Sequence, residues 1–482
     1  MISFQTELCP ELPPVYAGKD FHVLCALLAR MDELVIQSGL EEKFVASFAP
    51  KQRKTEKQRK RLVKALRCTL LRMVFQLPYA RAARELASNY LYQKFCGLIQ
   101  VDRIVVPSAK TLERYEKMVS PEILQALVAH LNHGAALAVN VLGEHALGLQ
   151  APVDLGVEYI DATALKARVH YPVDWILLRD AVRTLTLAIT QARKRGILSR
   201  MPKAPEAYLS AMNNLCIQMT HARRTKDAKK TRKKTLRRMK KLVRVVEKLA
   251  CGHLAKLRKQ GVKMGLGVAT IVMLEKKFTV ILEQIDTVIR QAHERIIGER
   301  RVKSKDKILS LYESDMHVIV RGKSDAEVEF GNTLFLAEQA NGLIIDWHLY
   351  KDQAPADSRM IPDHLERTEK ENGIDLNKLA GDRGFDSAAV AKLLAQKIQN
   401  NICPRNIQAL SERLQDEEFR AHQRRRAQTE ARIAIVMHCF VGNPARKWGY
   451  TNKARLCAWG ILAHNLWVLA RLAQQQTQDQ AA

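Results

Sequence analysis

Aromatic residues make up only 6% of this 482-residue sequence, and no apolar run approaches the length of a membrane-spanning helix. No Cys-x-x-Cys pair occurs, and the spacing of the nine cysteines fits neither a zinc ribbon nor a disulfide framework. Cys439 beside His438, and Cys457 near His464, read as buried helix residues rather than metal ligands. Met1-Ile2-Ser3-Phe4-Gln5 lacks a charged stretch followed by an apolar one, so no secretory signal is expected and the compartment reads as the reducing cytoplasm. There is no tandem repeat and no glycine-rich phosphate loop, since Gly265-Leu266-Gly267 alone is too short to make one. Acid is scarce as well: 78 Lys and Arg stand against 50 Asp and Glu, a formal charge of +28.

An excess of this size repels itself unless an anion is the partner, and the usual polyanion is nucleic acid, which predicts a nucleoid-associated protein. A membrane surface is the competing partner, and the missing apolar run disfavours it. Hydrophobic residues reach 47%, enough to fill real cores, and the length suggests two or three domains. Leu, Ala, Arg and Lys dominate, which favours helices.

Residues 1–150 read as an all-α domain. Leu62, Ala65, Leu66, Thr69, Leu70 and Val74 form a helix-spaced apolar stripe. A break at Pro78 and an N-cap at Ser108 mark further short helices, a spacing that suits a helix-turn-helix-type DNA reader or a plain bundle. Residues 175–302 read as a helical insertion whose centre is the most basic part of the chain. Arg223, Arg224, Lys229, Lys230, Arg232, Lys233, Lys234, Arg237 and Arg238 follow one another there with almost no acid between them. A solvated helix face normally mixes signs, so one-sign density predicts contact with DNA phosphates.

Residues 151–174 and 303–482 have a different grammar. Val157 to Leu165 alternates as a strand with Asp161 in its middle. Leu334–Ala337 and Leu343–Ile345 flank Asn341-Gly342, a strong hairpin signal that predicts positive φ at both central residues. Pro355 to Asn372 reads as largely helical, closed by Gly373, Lys378 to Asp382 as a short strand, and Asp386 or Ser387 as the cap of a helix over Ala388–Gln399. Asn401–Pro404 reads as a last strand, Leu410–Phe440 as one long helix, and the segment around Trp459 as another. With the insertion removed, a mixed α/β sheet remains.

Three carboxylates stand out against so basic a background. Asp161 lies among apolar residues, where an unpaired charge is costly and a cation partner is expected. Asp382, in Gly381-Asp382-Arg383-Gly384-Phe385, ends a short strand, where open sheets place their ligands. Glu430 shares a helix face with Arg426, and an ordinary ion pair between them is the plain alternative. Converging carboxylates hold Mg²⁺, and two such ions about 4 Å apart can activate a hydroxyl and neutralise a phosphorane.

In this order and these contexts, the three acids resemble the DDE transposases of bacterial insertion sequences, with the mixed, not-yet-classified (ISNCY) grouping closest in flavour. Supporting stretches are Leu62–Tyr115, Asp161-Ala162-Thr163 with His170-Tyr171-Pro172-Val173-Asp174, Arg321-Gly322-Lys323, Glu329-Phe330-Gly331 and, most specific, Gly381–Phe385. In many relatives the third block carries Tyr and Lys where this chain has Gln423 and Met437. The resemblance implies an RNase H-like domain holding two Mg²⁺ ions, with Mn²⁺ as substitute, on Asp161, Asp382 and Glu430. It implies that double-stranded DNA, as terminal inverted repeats and target, is cut and joined by a protein that pairs ends as a homodimer. Arg321, Lys323, Arg383, Arg424, Arg425 and Arg426 are the further expected DNA contacts, and Glu417 or Glu418 is the alternative third acid. A nuclease of the same fold and a catalytically inactive, transposase-derived DNA-binding protein are the rival readings.

Overall fold

The computed structural model describes residues 16–48, 54–139, 144–169, 173–222, 227–303, 306–323 and 326–479. The chain divides into two compact units, Met1–Lys166 with Asn332–Ala482, and Ala167–Gly331.

The first unit opens with seven helices: α1 (Lys19–Gln37), α2 (Leu40–Ala46), α3 (Glu56–Val74), α4 (Tyr79–Ser88), α5 (Tyr90–Phe95), α6 (Ala109–Lys117) and α7 (Pro121–Ala136). Thr55 starts α3 through a capping box with Gln58, and Ser108 caps α6 by accepting from Thr111 N. The apolar sides of α3 and α7 do not close on each other alone. Leu66, Leu70, Leu127 and Leu131 share one core with Leu336, Ile344, Trp459, Leu462 and Leu466. The last three belong to α17 (Tyr450–Asp479), which packs on α1, α3 and α7. The stretch expected as a separate domain over 1–150 therefore lies in the same compact unit as Asn332–Ala482.

The sheet is mixed, in a mixed α/β architecture. Its strands are β1 (Val157–Lys166), β2 (His317–Lys323), β3 (Ala326–Gln339), β4 (Ile344–Leu349), β5 (Lys378–Ala380) and β6 (Gln399–Asn400). The order is β2-β3-β1-β5-β6, with β4 also on β3. β2 pairs antiparallel with the first half of β3 and β4 with the second half, whereas β1, β5 and β6 run parallel. At the β3–β4 turn only Gly342 takes a positive φ, 95°. Asn341 avoids one because the Gln339 side chain accepts from its N–H at 2.6 Å. The strand expected at Asn401–Pro404 is instead Gln399–Asn400, although Asn401 N and Cys403 N bond to Leu379 O and Gly381 O.

On one face of the sheet Ile160, Phe335, Ala337 and Leu379 pack with Met360, Ile361 and Phe385. The covering segments there are a 3₁₀ turn (Asp357–Arg359), α12 (Ile361–Glu366) with a π turn (Arg367–Glu371), and α13 (Ala388–Leu394), capped by Ser387. The long helix expected over Leu410–Phe440 is instead broken into α14 (Ile407–Arg413), α15 (Glu417–Ala427), α16 (Thr429–Ile435) and a π turn (Val436–Val441). Asp416 causes one break by accepting from Glu418 N and starting a new helix. Cys457 and His464 are buried as expected, but Cys439 and His438 are exposed, because the π turn presents that side outward. The described cysteines are free thiols, and among the described residues no helix is long and apolar enough to cross a membrane.

The second unit contains α8 (Asp174–Arg193), α9 (Pro205–His221), α10 (Ala228–Gln260) and α11 (Val268–Ala292). They bury Val182, Leu185, Met212, Met239, Val243, Phe278 and Ile285 in their own core.

Candidate active site

β1 and β5 lie side by side and parallel, with Val157 opposite Lys378, Glu158 opposite Leu379 and Tyr159 opposite Ala380. Ile160 then packs on Gly381, where a Cβ would come within 3.0 Å of its Cγ1. One step further the register brings Asp161 level with Asp382. Adjacent strands are about 4.8 Å apart, and equal registry sends both side chains to one face. Both residues are half-buried, Asp161 in the middle of β1 and Asp382 two residues past the end of β5. Asp161 Oδ1 accepts from Ala162 N at 2.7 Å, and Asp382 Oδ1 accepts from Gly384 N at 2.8 Å.

Gly384 marks a third acid that spacing did not suggest. A Cβ there would sit 2.5 Å from Asp357 Oδ2 and 3.0 Å from Asp382 Oδ1, so the two carboxylates border the same point. Asp357 opens the 3₁₀ turn, and in the sequence it looks like an ordinary turn residue after Pro355. Only the fold brings it to Asp382.

The same face of the sheet is crossed by α15 and the start of α16. Glu418 pairs with Lys378 on β5, and His422 Nδ1 lies 2.9 Å from the Tyr159 hydroxyl on β1. Arg425 stacks over the Tyr159 ring at 4.6 Å and donates to Glu338 Oε1 on β3 at 2.9 Å. Thr429 Oγ1 donates to the same carboxylate oxygen at 2.9 Å. Steps of three and four residues align these groups along one side of the helical path. Burial pushes the Glu338 carboxyl up, with Arg425 and Thr429 pulling against it.

These contacts correct part of the expected DNA surface. Arg425 is held inside the protein, donating also to Gln339 O and Ala340 O. Arg426 donates to Gln423, which in turn donates to Asn401 O, so Gln423 ties α15 to the chain after β6. Met437 is buried. Arg383 and Arg424 are exposed, while the side chains of Arg321 and Lys323 and all of Arg223 and Arg224 lie outside the described residues, as does His170-Tyr171-Pro172.

Glu430 sits exposed in the first turn of α16, a helix that packs on β1. Glu417 and Glu418 are also exposed. Among the described residues, no three His, Cys, Asp or Glu side chains are gathered closely enough to hold one metal ion. Asp161 and Asp382 thus lie at equal register on neighbouring segments of the sheet, and Glu430 forms no three-residue set with them among the described residues.

Behind the site, on the other side of β1, is a buried charge chain. His364 Nε2 lies 2.8 Å from Glu158 Oε2, and His364 Nδ1 lies 2.8 Å from Asp346 Oδ2. Arg367 adds a two-pronged contact to Asp346, at 3.0 Å from Nε and 2.8 Å from Nη2. Burial opposes the charge on His364, but the Glu158 and Asp346 carboxylates outweigh it and lift the imidazole to about 9. Burial raises Glu158; Asp346 is lowered, because its bonds to His364 and Arg367 outweigh its own burial. Sequence reasoning missed this chain. Its one local sign was an acid, Glu158, at an inward position of a strand.

No family model, no curated protein and no solved structure matches this chain.

Proposed function

We propose that the protein is a DNA strand-transferase of the DDE transposase type, with an RNase H-like catalytic core, which cuts DNA and joins its ends by direct in-line phosphoryl transfer. The observation that carries this reading is the parallel β1–β5 register, which, followed two residues past Tyr159 and Ala380, sets Asp161 in the middle of β1 level with Asp382 just beyond β5. These are two half-buried carboxylates in a chain whose net charge is +28. Their hard oxygen donors suit Mg²⁺ or Mn²⁺, with Asp161 and Asp382 as holders and Asp357 or Glu430 as the third acid. A divalent ion held there would lower the pKa of the attacking hydroxyl and neutralise charge on the phosphate. The chain's own part is to fix the two aspartates. Ala162 N donates to Asp161 Oδ1 and Gly384 N to Asp382 Oδ1, which orients both carboxylates.

The absence of a gathered third acid among the described residues favours a second reading, a transposase-derived protein that binds DNA without cutting it. One assay separates them. Short inverted repeats are sought in the DNA flanking the gene, and duplexes carrying them are incubated with full-length protein and Mg²⁺, both intact and pre-cut. Strand transfer from pre-cut ends, lost in Asp161→Asn and in Asp382→Asn, is the expected result. Cleavage without joining would make the protein a nuclease, and binding without either would favour the second reading.

A further inference from the structure

The basic helix α10 divides its cations into two sets. One set is tied within the second unit. Lys229 and Lys233 pair with Glu299 at 3.2 and 2.8 Å, and Arg238 donates to Gln218 at 3.1 Å. Arg244 meets Glu247 and Asp286 at 2.8 and 2.5 Å, and Arg232 lies 5.4 Å over the Trp175 ring. The other set, within Lys229–Lys248, is Lys230, Lys234, Arg237, Lys241 and Lys248. All five are exposed, and among the described residues none has an ion-pair or hydrogen-bond partner.

Their spacing of four, three, four and seven residues is a single helical stripe. At 100° per residue it lies opposite the buried Leu236, Met239, Val243, Val246 and Ala250. At a rise of 1.5 Å per residue it runs for about 27 Å. Glu247 is the one acid on α10, and Arg244 holds it off the stripe.

We infer that this stripe is a binding site for the phosphate backbone of duplex DNA, engaged without regard to base sequence. A row of like charges this dense is self-repelling, and a polyanion relieves it. The exposed row contains only Lys and Arg, four of the five being Lys, whose compact ammonium suits phosphate oxygens along a backbone, so charge dominates its contacts. α10 also contains no Phe, Tyr or Trp, whereas a single-strand groove uses aromatic platforms for unstacked bases. The stripe stands on its own geometry; naming DNA as the duplex rests on the strand-transfer reading.

The test measures binding of full-length protein to short labelled DNA duplexes of unrelated sequence across a salt series. Replacing all five stripe residues by Gln is expected to flatten the slope of log affinity against log salt by about 4.5, near 0.9 for each phosphate no longer neutralised. Lys234→Gln with Lys241→Gln should give about half of that. A control with Lys229, Arg238 and Arg244 changed to Gln should move the slope much less. The wild type should bind unrelated duplexes alike, and binding is read without divalent metal, which separates this site from failure of the chemistry. An unchanged slope in the five-fold variant overturns the inference. So does tighter binding to single strands, to duplex RNA or to phosphatidylserine vesicles than to duplex DNA.

Discussion

Glu158 Oε2 lies 2.8 Å from His364 Nε2 at a point where neither side chain meets solvent. Asp161 is three residues along the same strand and, by alternation, on its opposite face. The strand that carries the candidate aspartate is therefore anchored from behind by a buried acid, an imidazole, a second acid and Arg367. Breaking such a chain strands a charge in the interior, which costs far more than an exposed pair would contribute.

The first prediction concerns pH. His364 is raised from 6.5 to about 9 in the folded state, so folding favours its charged form. The stability it contributes is complete below about pH 6.5 and disappears as pH rises through about 9. Glu158, raised by burial, works in the same direction. The Tm of the wild type should therefore fall across this alkaline window, and His364→Gln should start lower and vary less. Parallel Tm curves for the two proteins would count against a charged His364.

A second prediction follows from Glu338, which is fully buried and bonded to Arg425 and Thr429. Arg425→Met removes its cation and should cost about 3–5 kcal/mol in urea unfolding, the range for leaving a buried charge unpaired. Replacing both partners, as Arg425→Met with Glu338→Leu, should recover a large part. A double-mutant cycle with no coupling would rule the contact out as a stabilising one.

The aspartate pair supplies a third. If Asp161 and Asp382 hold divalent ions together, Mg²⁺ should raise the Tm of the wild type, by the equivalent of about 2.7 kcal/mol at a hundred times Kd. Asp161→Asn and Asp382→Asn should each abolish the rise. A rise that survives in both variants would place the metal elsewhere.

The third acid can be sorted by comparing Asp357→Asn with Glu430→Gln in the same Mg²⁺ titration and in strand transfer. Asp357 borders Gly384 beside Asp382, so its variant should weaken the metal response. An effect confined to Glu430→Gln would instead mean that α16 swings its first turn inward when ligand binds.

Gly384 itself provides the last. Its Cβ would press on Asp357 Oδ2 at 2.5 Å, so Gly384→Ala should disturb both acids while leaving the bulk of the fold intact. Abolished activity with a Tm near that of the wild type is the expected signature. Full activity would show that Asp357 can move aside without consequence.

What the sequence determined by itself was local. The caps at Thr55, Ser108 and Ser387, the alternation of Val157–Leu165, the turn at Gly342 and the cation density of α10 all rest on interactions spanning a few residues. Periodicity says which side of a helix or strand is apolar, and charge says which partner it invites. Which apolar side meets which is a different matter. The pairing of β1 with β5 joins residues more than two hundred positions apart, and the helices before residue 150 find their core partner in α17 near the end of the chain. Asp357 beside Asp382, Arg425 turned inward and Glu158 closed off by His364 are consequences of those long-range choices. Tertiary packing decided them, because many apolar faces are interchangeable locally and only one arrangement buries them all while leaving each interior charge a counter-charge.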